Sequence, residues 1–432
     1  MNETHMVWAE LLDWLRRSQR FIIKKLSRND CSWADDSGKH QAGVYVPREL
    51  QNAGFFPQVS NTNPAKPHIL DARFSTWWPA SSESIHSALK HYTNKGTEFH
   101  FTRLPRNEFS ELTPASLLIG GKLHEPHQGS EYWFSVMDSA SDEAEILESA
   151  LDLPANFHFG IFEPSHLLDQ LDDDELLIAQ ITEALHNGTL GRFIAAQHLP
   201  SPQRLAEDAQ QAWLLESGHP SLDPFSIPEP GDAVMRISRD IEFRLFKRAE
   251  LRLRAAQAAG VLLQGEPVRA LVHGFPALDA LFLSATQVRK SRAGLSFEHH
   301  VQRLLVDGHI AHQSQCVFGG RRPDFVLPDG GALRDPSRTD ALILSLKTTL
   351  RERWKQLGHE RRFGEVFLAT VDDRVSVEAI NGLKSAGITL VVPESLKDAK
   401  ESCYEKRDGV ITFRNFFDEE IRVRRPSLLL AA

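Results

Sequence analysis

Short apolar runs that alternate with polar positions fill the first third of the chain, separated by Gly, Pro and Asn. Residues 42–47 (AGVYVP), 98–103 (EFHFTR) and 132–137 (YWFSVM) are examples. Period-two alternation punctuated by turn formers predicts short strands, and their density predicts a small β-barrel. Two stretches carry helical spacing instead. Residues 7–26 predict an opening helix; residues 141–151 (SDEAEILESAL) predict another, with early acids that suit a helix N-terminus. The texture changes between about 163 and 230: an acidic helical stretch at 167–184, polar helix, then proline punctuation ending in IPEPG at 227–231. A long helix over 232–259 follows. Beyond about residue 283 the pattern is α/β. A basic helix at 294–307 precedes a strand near 323–328 (PDFVLP) and a buried strand at 341–346 (ALILSL). A charged helix at 349–362 leads to apolar strands at 365–370 (EVFLAT) and 387–392 (GITLVV), with a helix at 376–385 between them. Strands interleaved with helices predict a mixed sheet covered on both faces.

The two textures imply a multi-domain chain, and 432 residues suit two domains with a connecting segment. The expected division is 1–165 for the β-rich part, 166–230 for a linker with the opening helices, and 231–432 for the α/β part. Cys31, Cys316 and Cys403 lie far apart with no CxxC spacing, which argues against a disulfide framework or a structural zinc and fits a reducing cytoplasm. No membrane-spanning run and no signal-peptide layout are expected. The formal net charge of −9 counts against a generic nucleic-acid binder. A sequence-specific nuclease tolerates such a sum if its bases are gathered where phosphates lie.

Three features of the α/β part bear on chemistry. Asp324 follows Pro323 at a strand or turn. Lys347 stands where the buried strand 341–346 ends. Glu360 lies thirteen residues beyond that lysine, on the following helix. Phosphodiester hydrolysis needs a hard divalent cation held by carboxylate oxygens, a positioned water and a cation to meet developing charge. Asp324 and Glu360 could hold Mg2+, Lys347 could orient the water and stabilise the phosphate, and Glu298 is a further acid on the preceding helix. Each taken singly also reads as an ordinary turn, strand-end or helix-surface residue. Asp372 and Asp373 read as a turn. The order of helix acid, Pro-Asp strand, lysine strand and helix is the core layout of PD-(D/E)XK nucleases. An acid usually stands two residues before the lysine; here that place holds Ser345, and Glu360 resembles an acid displaced onto the next helix.

The segments 287–298 (QVRKSRAGLSFE), 322–325 (RPDF), 346–356 (LKTTLRERWKQ) and 387–396 (GITLVVPESL) together resemble the catalytic domain of EcoRII-type restriction endonucleases over roughly the last 200 residues. The resemblance implies a PD-(D/E)XK fold with catalytic Asp324, Lys347 and Glu360, and with Glu298 assisting at the Mg2+. It implies that Arg351, Glu352 and Arg353 read C:G pairs in the major groove, where arginine donates to guanine O6 and N7 and glutamate accepts from cytosine N4. Gln287 would contact the outer C:G pair. The site would be CCWGG or another CCNGG or CCGG variant in double-stranded DNA, cut by a homodimer with one strand per protomer. Base flipping is a further implication of the resemblance.

In the first half, 26–30 (LSRND), 38–43 (GKHQAG), 101–107 (FTRLPRN) and 111–113 (ELT) resemble the effector domain of the same enzymes, a pseudobarrel related to plant B3 DNA-binding domains. Arg28, Asn29, Lys39, His40 and Gln41 would form one DNA-gripping arm, and Arg103, Arg106 and Asn107 the other. The basic stripe Arg16, Arg17, Arg20, Lys24, Lys25 and Arg28 reads either as phosphate steering or as the exposed face of an amphipathic helix. Two DNA-reading domains imply effector control of cleavage. Two other readings remain open: a sequence-specific DNA-binding regulator with an inactive nuclease fold, and an acidic interaction protein without DNA affinity.

Overall fold

A computed structural model describes residues 6–35, 43–94, 96, 99–151, 153–165, 171–263, 266–317, 322–335, 337–350 and 364–430. Two compact units divide the chain. The first comprises Met1–Gln170 with Asp373–Ser376 and Ala399–Glu405; the second comprises Leu171–Asp372, Val377–Asp398 and Lys406–Ala432.

The first unit is built on a mixed sheet of eight strands: β1 (Ser18–Lys25), β2 (Val44–Val46), β3 (Ile69–Trp78), β4 (Glu83–Tyr92), β5 (Phe99–Thr102), β6 (Leu117–His127), β7 (Ser130–Met137) and β8 (Phe159–Phe162). Their spatial order is β2-β5-β4-β3-β7-β6-β1-β8. All described pairs are antiparallel except β3 with β7. The sheet buries both faces. Ile22, Leu118 and Phe134 enter one core with Trp33, Phe55 and Trp78. Phe21, Ile23, Leu117, Ile119 and Trp133 enter the other with Leu11, Trp14 and Leu147. Gly120 and Gly121 of β6 stand opposite Phe134 and Trp133, whose rings occupy the space a Cβ would need.

This two-sided burial corrects the opening of the chain. Residues 7–26 are not one helix: a helix covers only Trp8–Arg16, and β1 begins at Ser18. Consecutive residues Phe21 to Lys25 are all buried, so alternation is lost and the strand signal is masked. The basic stripe is corrected with it. Lys24 and Lys25 are buried and paired with Asp30 at 2.5 Å and with Asp373 at 2.9 Å. Arg17 lies over the Trp14 ring, and Arg20 donates to the Ala53 and Gly54 carbonyls. Asp373, read as a turn residue, is therefore a buried counter-ion, and its neighbour Arg374 pairs with Glu148 at 2.6 Å.

The second unit begins with helices Leu171–His186, Leu190–Ala196 and Pro202–Ser217. Ser201 caps the last of these, and Leu205, Ala209 and Trp213 are buried on its inner face. The predicted helix from 232 runs as Pro230–Arg236, a π-helical turn Ile237–Glu242, and Phe243–Leu262. The basic helix expected at 294–307 is the end of a single 41-residue helix, Pro267–Asp307, here called the long helix. Its last part packs inward through Phe297, Val301, Leu304 and Leu305. Its first part exposes Val268, Val272, Phe275 and Phe282. By length and composition alone, Val268–Asp307 contains a run apolar enough to cross a bilayer, a run the sequence reading did not find.

A mixed sheet completes the unit: β9 (Gln313–Ser314), β10 (Phe325–Leu327), β11 (Leu342–Leu346), β12 (Glu365–Ala369), β13 (Ile388–Val392) and β14 (Val410–Thr412), in the order β14-β13-β12-β11-β10-β9. β11 to β14 pair in parallel, and β9, β10 and β11 are antiparallel. β11 is buried at every residue, as its unbroken apolar run requires. Helix Val377–Ser385 connects β12 to β13.

Candidate active site

The antiparallel pairing of β10 and β11 matches Phe325 with Leu344. It thereby sets Asp324, just before β10, beside the end of β11, where Lys347 leaves the sheet. The Leu346 amide donates to Asp324 Oδ2 at 2.6 Å, and Lys347 Nζ lies 3.7 Å from the same oxygen. Lys347 is itself held at two points. Its amide donates to the Ala369 carbonyl at 3.0 Å, extending the β11–β12 ladder, and its ammonium donates to the Leu346 carbonyl at 2.7 Å. The Lys347 side chain keeps about a third of its surface exposed (34%), whereas that of Asp324 keeps 13%. A cation is thus offered at the rim and an acid beneath it.

Glu298, on the long helix, joins this pair. Burial pushes its carboxyl above the usual range, and the charge of Asp324 pushes in the same direction. Asp324 is likewise raised by burial, against the lowering influence of Lys347 and of the Leu346 amide. Two carboxyls raised by burial, with the charge of one lysine acting to lower both, form a site short of positive charge. Their donors are all hard oxygens, which suits Mg2+, Mn2+ or Ca2+ and not a thiolate-seeking metal. Among the described residues no three His, Cys, Asp or Glu side chains gather as a metal-ligand set. Asp324 and Glu298 supply two acids, and Glu360 lies outside the described residues.

Two residues missed by sequence reasoning complete the geometry. Gln315 donates its amide N–H to the Asp324 carbonyl at 3.1 Å and its side-chain Nε2 to Glu298 Oε2 at 3.1 Å. Its backbone is left-handed (φ 52), which turns the chain back toward both acids. Nothing in the local sequence signals this. Asp372, read as part of an ordinary turn, is buried and accepts the Leu350 amide at 2.8 Å. It anchors the chain three residues past Lys347. Ser345, at the position where an acid usually stands, is buried in β11.

The remaining candidates are dispersed or undescribed. Gln287 is exposed on the long helix. Arg351, Glu352 and Arg353 lie outside the described residues, as do Lys39, His40 and Gln41 and most of the helix expected at 349–362. In the first unit Arg28 and Asn29 are exposed at the start of helix Arg28–Asp35. Arg103, with φ 60, Arg106 and Asn107 are exposed on the loop after β5. That loop braces the same helix: Arg106 Nε donates to the Ala34 carbonyl at 2.6 Å, and the Glu111 amide donates to Asp35 at 2.9 Å. Helix and loop are therefore joined, and part of the Arg106 guanidinium is committed to structure.

Comparison with known proteins gives this geometry its context. The family model described as EcoRII C terminal matches residues 263–417. The type II restriction enzyme EcoRII of Escherichia coli is 26% identical over 393 residues, covering 87% of each chain. The type II restriction enzyme SsoII of Shigella sonnei is 34% identical over 157 residues, 34% of this chain and 50% of the relative. A solved structure of metal-depleted Ecl18kI with uncleaved, modified DNA aligns with 57% of this chain and 87% of its own, at 24% identity and a TM-score of 0.47. The matched span contains the long helix, Asp324 and Lys347, and the EcoRII alignment extends across most of both units. Residues 263–417 match the EcoRII C-terminal family model and most of the chain is similar to a type II restriction enzyme, so the chain is an EcoRII-like type II site-specific deoxyribonuclease.

Proposed function

We propose that this enzyme hydrolyses both strands of double-stranded DNA at a short C/G-rich site, CCWGG or another CCNGG or CCGG variant, using a PD-(D/E)XK site with Mg2+. The observation that carries the reading is the convergence of Asp324, Lys347 and Glu298 from a strand start, a strand end and a helix. Asp324, Glu298 and Glu360 would hold the cation. When bound, it would supply Lewis-acid stabilisation of the phosphate and a more acidic water. Lys347, fixed through its own amide and with a partly exposed side chain, orients the attacking water and meets the charge that develops on the phosphate. Gln287, Arg351, Glu352 and Arg353 read the base pairs, and the anchoring of Leu350 by Asp372 fixes where that reading segment begins.

One such site per chain implies a pair of chains for two strands. The first unit is B3-like in this reading. Arg28, Asn29, Lys39, His40, Gln41, Arg103, Arg106 and Asn107 grip a second copy of the site, and its binding relieves inhibition of cleavage. The brace between the 103–111 loop and helix Arg28–Asp35 supports a shared gripping surface.

The test is plasmid cleavage with Mg2+ followed by sequencing of the ends. Uniform ends at one C/G-rich site are expected. Lys347→Ala should lower the rate by about 10²–10³, the cost of losing one transition-state donor. Asp324→Ala and Glu360→Ala should bring cleavage below detection. A short duplex carrying the site, added in trans, should accelerate cutting of a one-site plasmid. Intact plasmid with Mg2+ and Mn2+ would overturn the reading, and tight specific binding without cutting would mark a regulator instead.

A further inference from the structure

The long helix carries two of the residues assigned above, Gln287 and Glu298, eleven positions apart. At about 100° per residue they fall within about 20° of one another on one face, about 16 Å apart along the axis. The opposite face carries Arg292, Ser296 and His300 at four-residue spacing, all buried. All three reach a single carboxylate, Glu242, which is itself fully buried. Arg292 and Ser296 donate to its two oxygens, and His300 Nε2 lies 2.9 Å from Oε2. Gln210 Nε2 lies 3.1 Å from His300 Nδ1, so each ring nitrogen of the imidazole has a polar partner and the ring is held between Gln210 and the carboxylate. The Arg292 guanidinium also lies 4.5 Å from the Phe246 ring.

Packing alone leaves a helix free to roll by a few degrees, because apolar contacts are non-directional. Three directional bonds converging on one point do not. With side-chain tips about 5–6 Å from the axis, a roll of about 10° displaces the Glu298 carboxylate by about 1 Å. Metal ligands tolerate only about 0.2 Å. Glu242 ends the π-helical turn Ile237–Glu242, the single break in the helical ladder between Pro230 and Leu262 among the described residues. The wider π turn changes the angular phase at which its last residue leaves the helix.

We propose that Glu242 is a positioning residue: its grip on Arg292, Ser296 and His300 sets the roll of the long helix, so that Gln287 and Glu298 present to DNA and cation together. The inference rests on the metal-site reading of Glu298. Base reading and metal binding are then coupled through one rigid element, and a mispositioned Gln287 drags Glu298 off its mark.

The test compares full-length variants for Mn2+ binding by electron paramagnetic resonance and for Mg2+ dependence of cleavage. Glu242→Gln alone strands the Arg292 charge, so the first variant is Glu242→Gln with Arg292→Gln, which removes both charges together. Ser296→Ala deletes one donor and leaves the ion pair intact. The double variant should raise the Mn2+ dissociation constant and the half-saturating Mg2+ together, by about tenfold, the low end of losses from groups that orient metal ligands. Ser296→Ala should shift both by about threefold, because one of the three bonds that set the roll is lost while the ion pair remains. Ile380→Ala, a core control on helix Val377–Ser385, should lower the melting temperature and leave both metal constants unchanged. A Ser296→Ala or double variant that folds with wild-type metal constants overturns the inference. If Glu298→Gln also leaves Mn2+ binding unchanged, the metal-site reading falls first and the inference with it.

Discussion

Gln315 offers the sharpest check on the site, because one side-chain bond and one backbone strain can be separated there. Gln315→Ala removes the 3.1 Å bond to Glu298 and leaves the backbone bond to Asp324. That bond is one of the influences holding the Glu298 carboxyl down against burial and Asp324. Without it the carboxyl is more readily protonated and less well aimed, and the half-saturating Mg2+ for cleavage should rise about tenfold. Gln315→Gly removes the same bond, so its Mg2+ requirement should rise equally. The two variants part on stability. The left-handed φ of 52 costs a side-chain-bearing residue about 1–2 kcal/mol, which glycine escapes. Glycine gives back about 0.5–1 kcal/mol in unfolded-chain entropy. Gln315→Gly should therefore be the more stable by about 0.5–1 kcal/mol, or a few degrees of melting temperature. Plasmid cleavage across a Mg2+ titration and a thermal melt of each protein measure both effects. A wild-type Mg2+ midpoint in Gln315→Ala, with Glu298→Gln impaired, would show that Gln315 does not orient the acid.

Three further outcomes are expected. Asp324 and Glu298 both have carboxyls raised by burial, and the cation requires them ionised. As pH falls toward the raised values protons compete with the metal, so half-saturating Mg2+ should climb about tenfold per pH unit per displaced proton, and saturating Mg2+ should restore the rate. Asp373→Asn strands buried Lys25 and should destabilise the first unit by about 3–5 kcal/mol, whereas Lys25→Met with Asp373→Leu should recover most of it in a thermal melt. Burial pushes the Cys31 thiol up to about 12, so maleimide labelling of the native protein at pH 8 should be far slower at Cys31 than after unfolding.

The sequence by itself determined much of the catalytic half. Runs such as 342–346, 365–369 and 388–392 are apolar at nearly every position, and only a strand buried on both faces needs that. Pro323-Asp324 marks a strand or turn and Leu346-Lys347 a strand end by local chemistry, and their order along the chain carries the family resemblance; that Asp324 stands just before a strand start was decided by the fold. The same logic failed at 17–25, where two cores claim successive residues and erase the alternation that distinguishes strand from helix. Only tertiary structure decided the partners. Lys25 meets Asp373 across 348 residues, Glu242 meets His300 across 58, and Gln315 reaches Glu298 through one left-handed residue. Periodicity records which face of an element is buried. It carries no information on which distant polar group that face will meet, because those meetings are fixed by strand register and helix roll after the chain has packed.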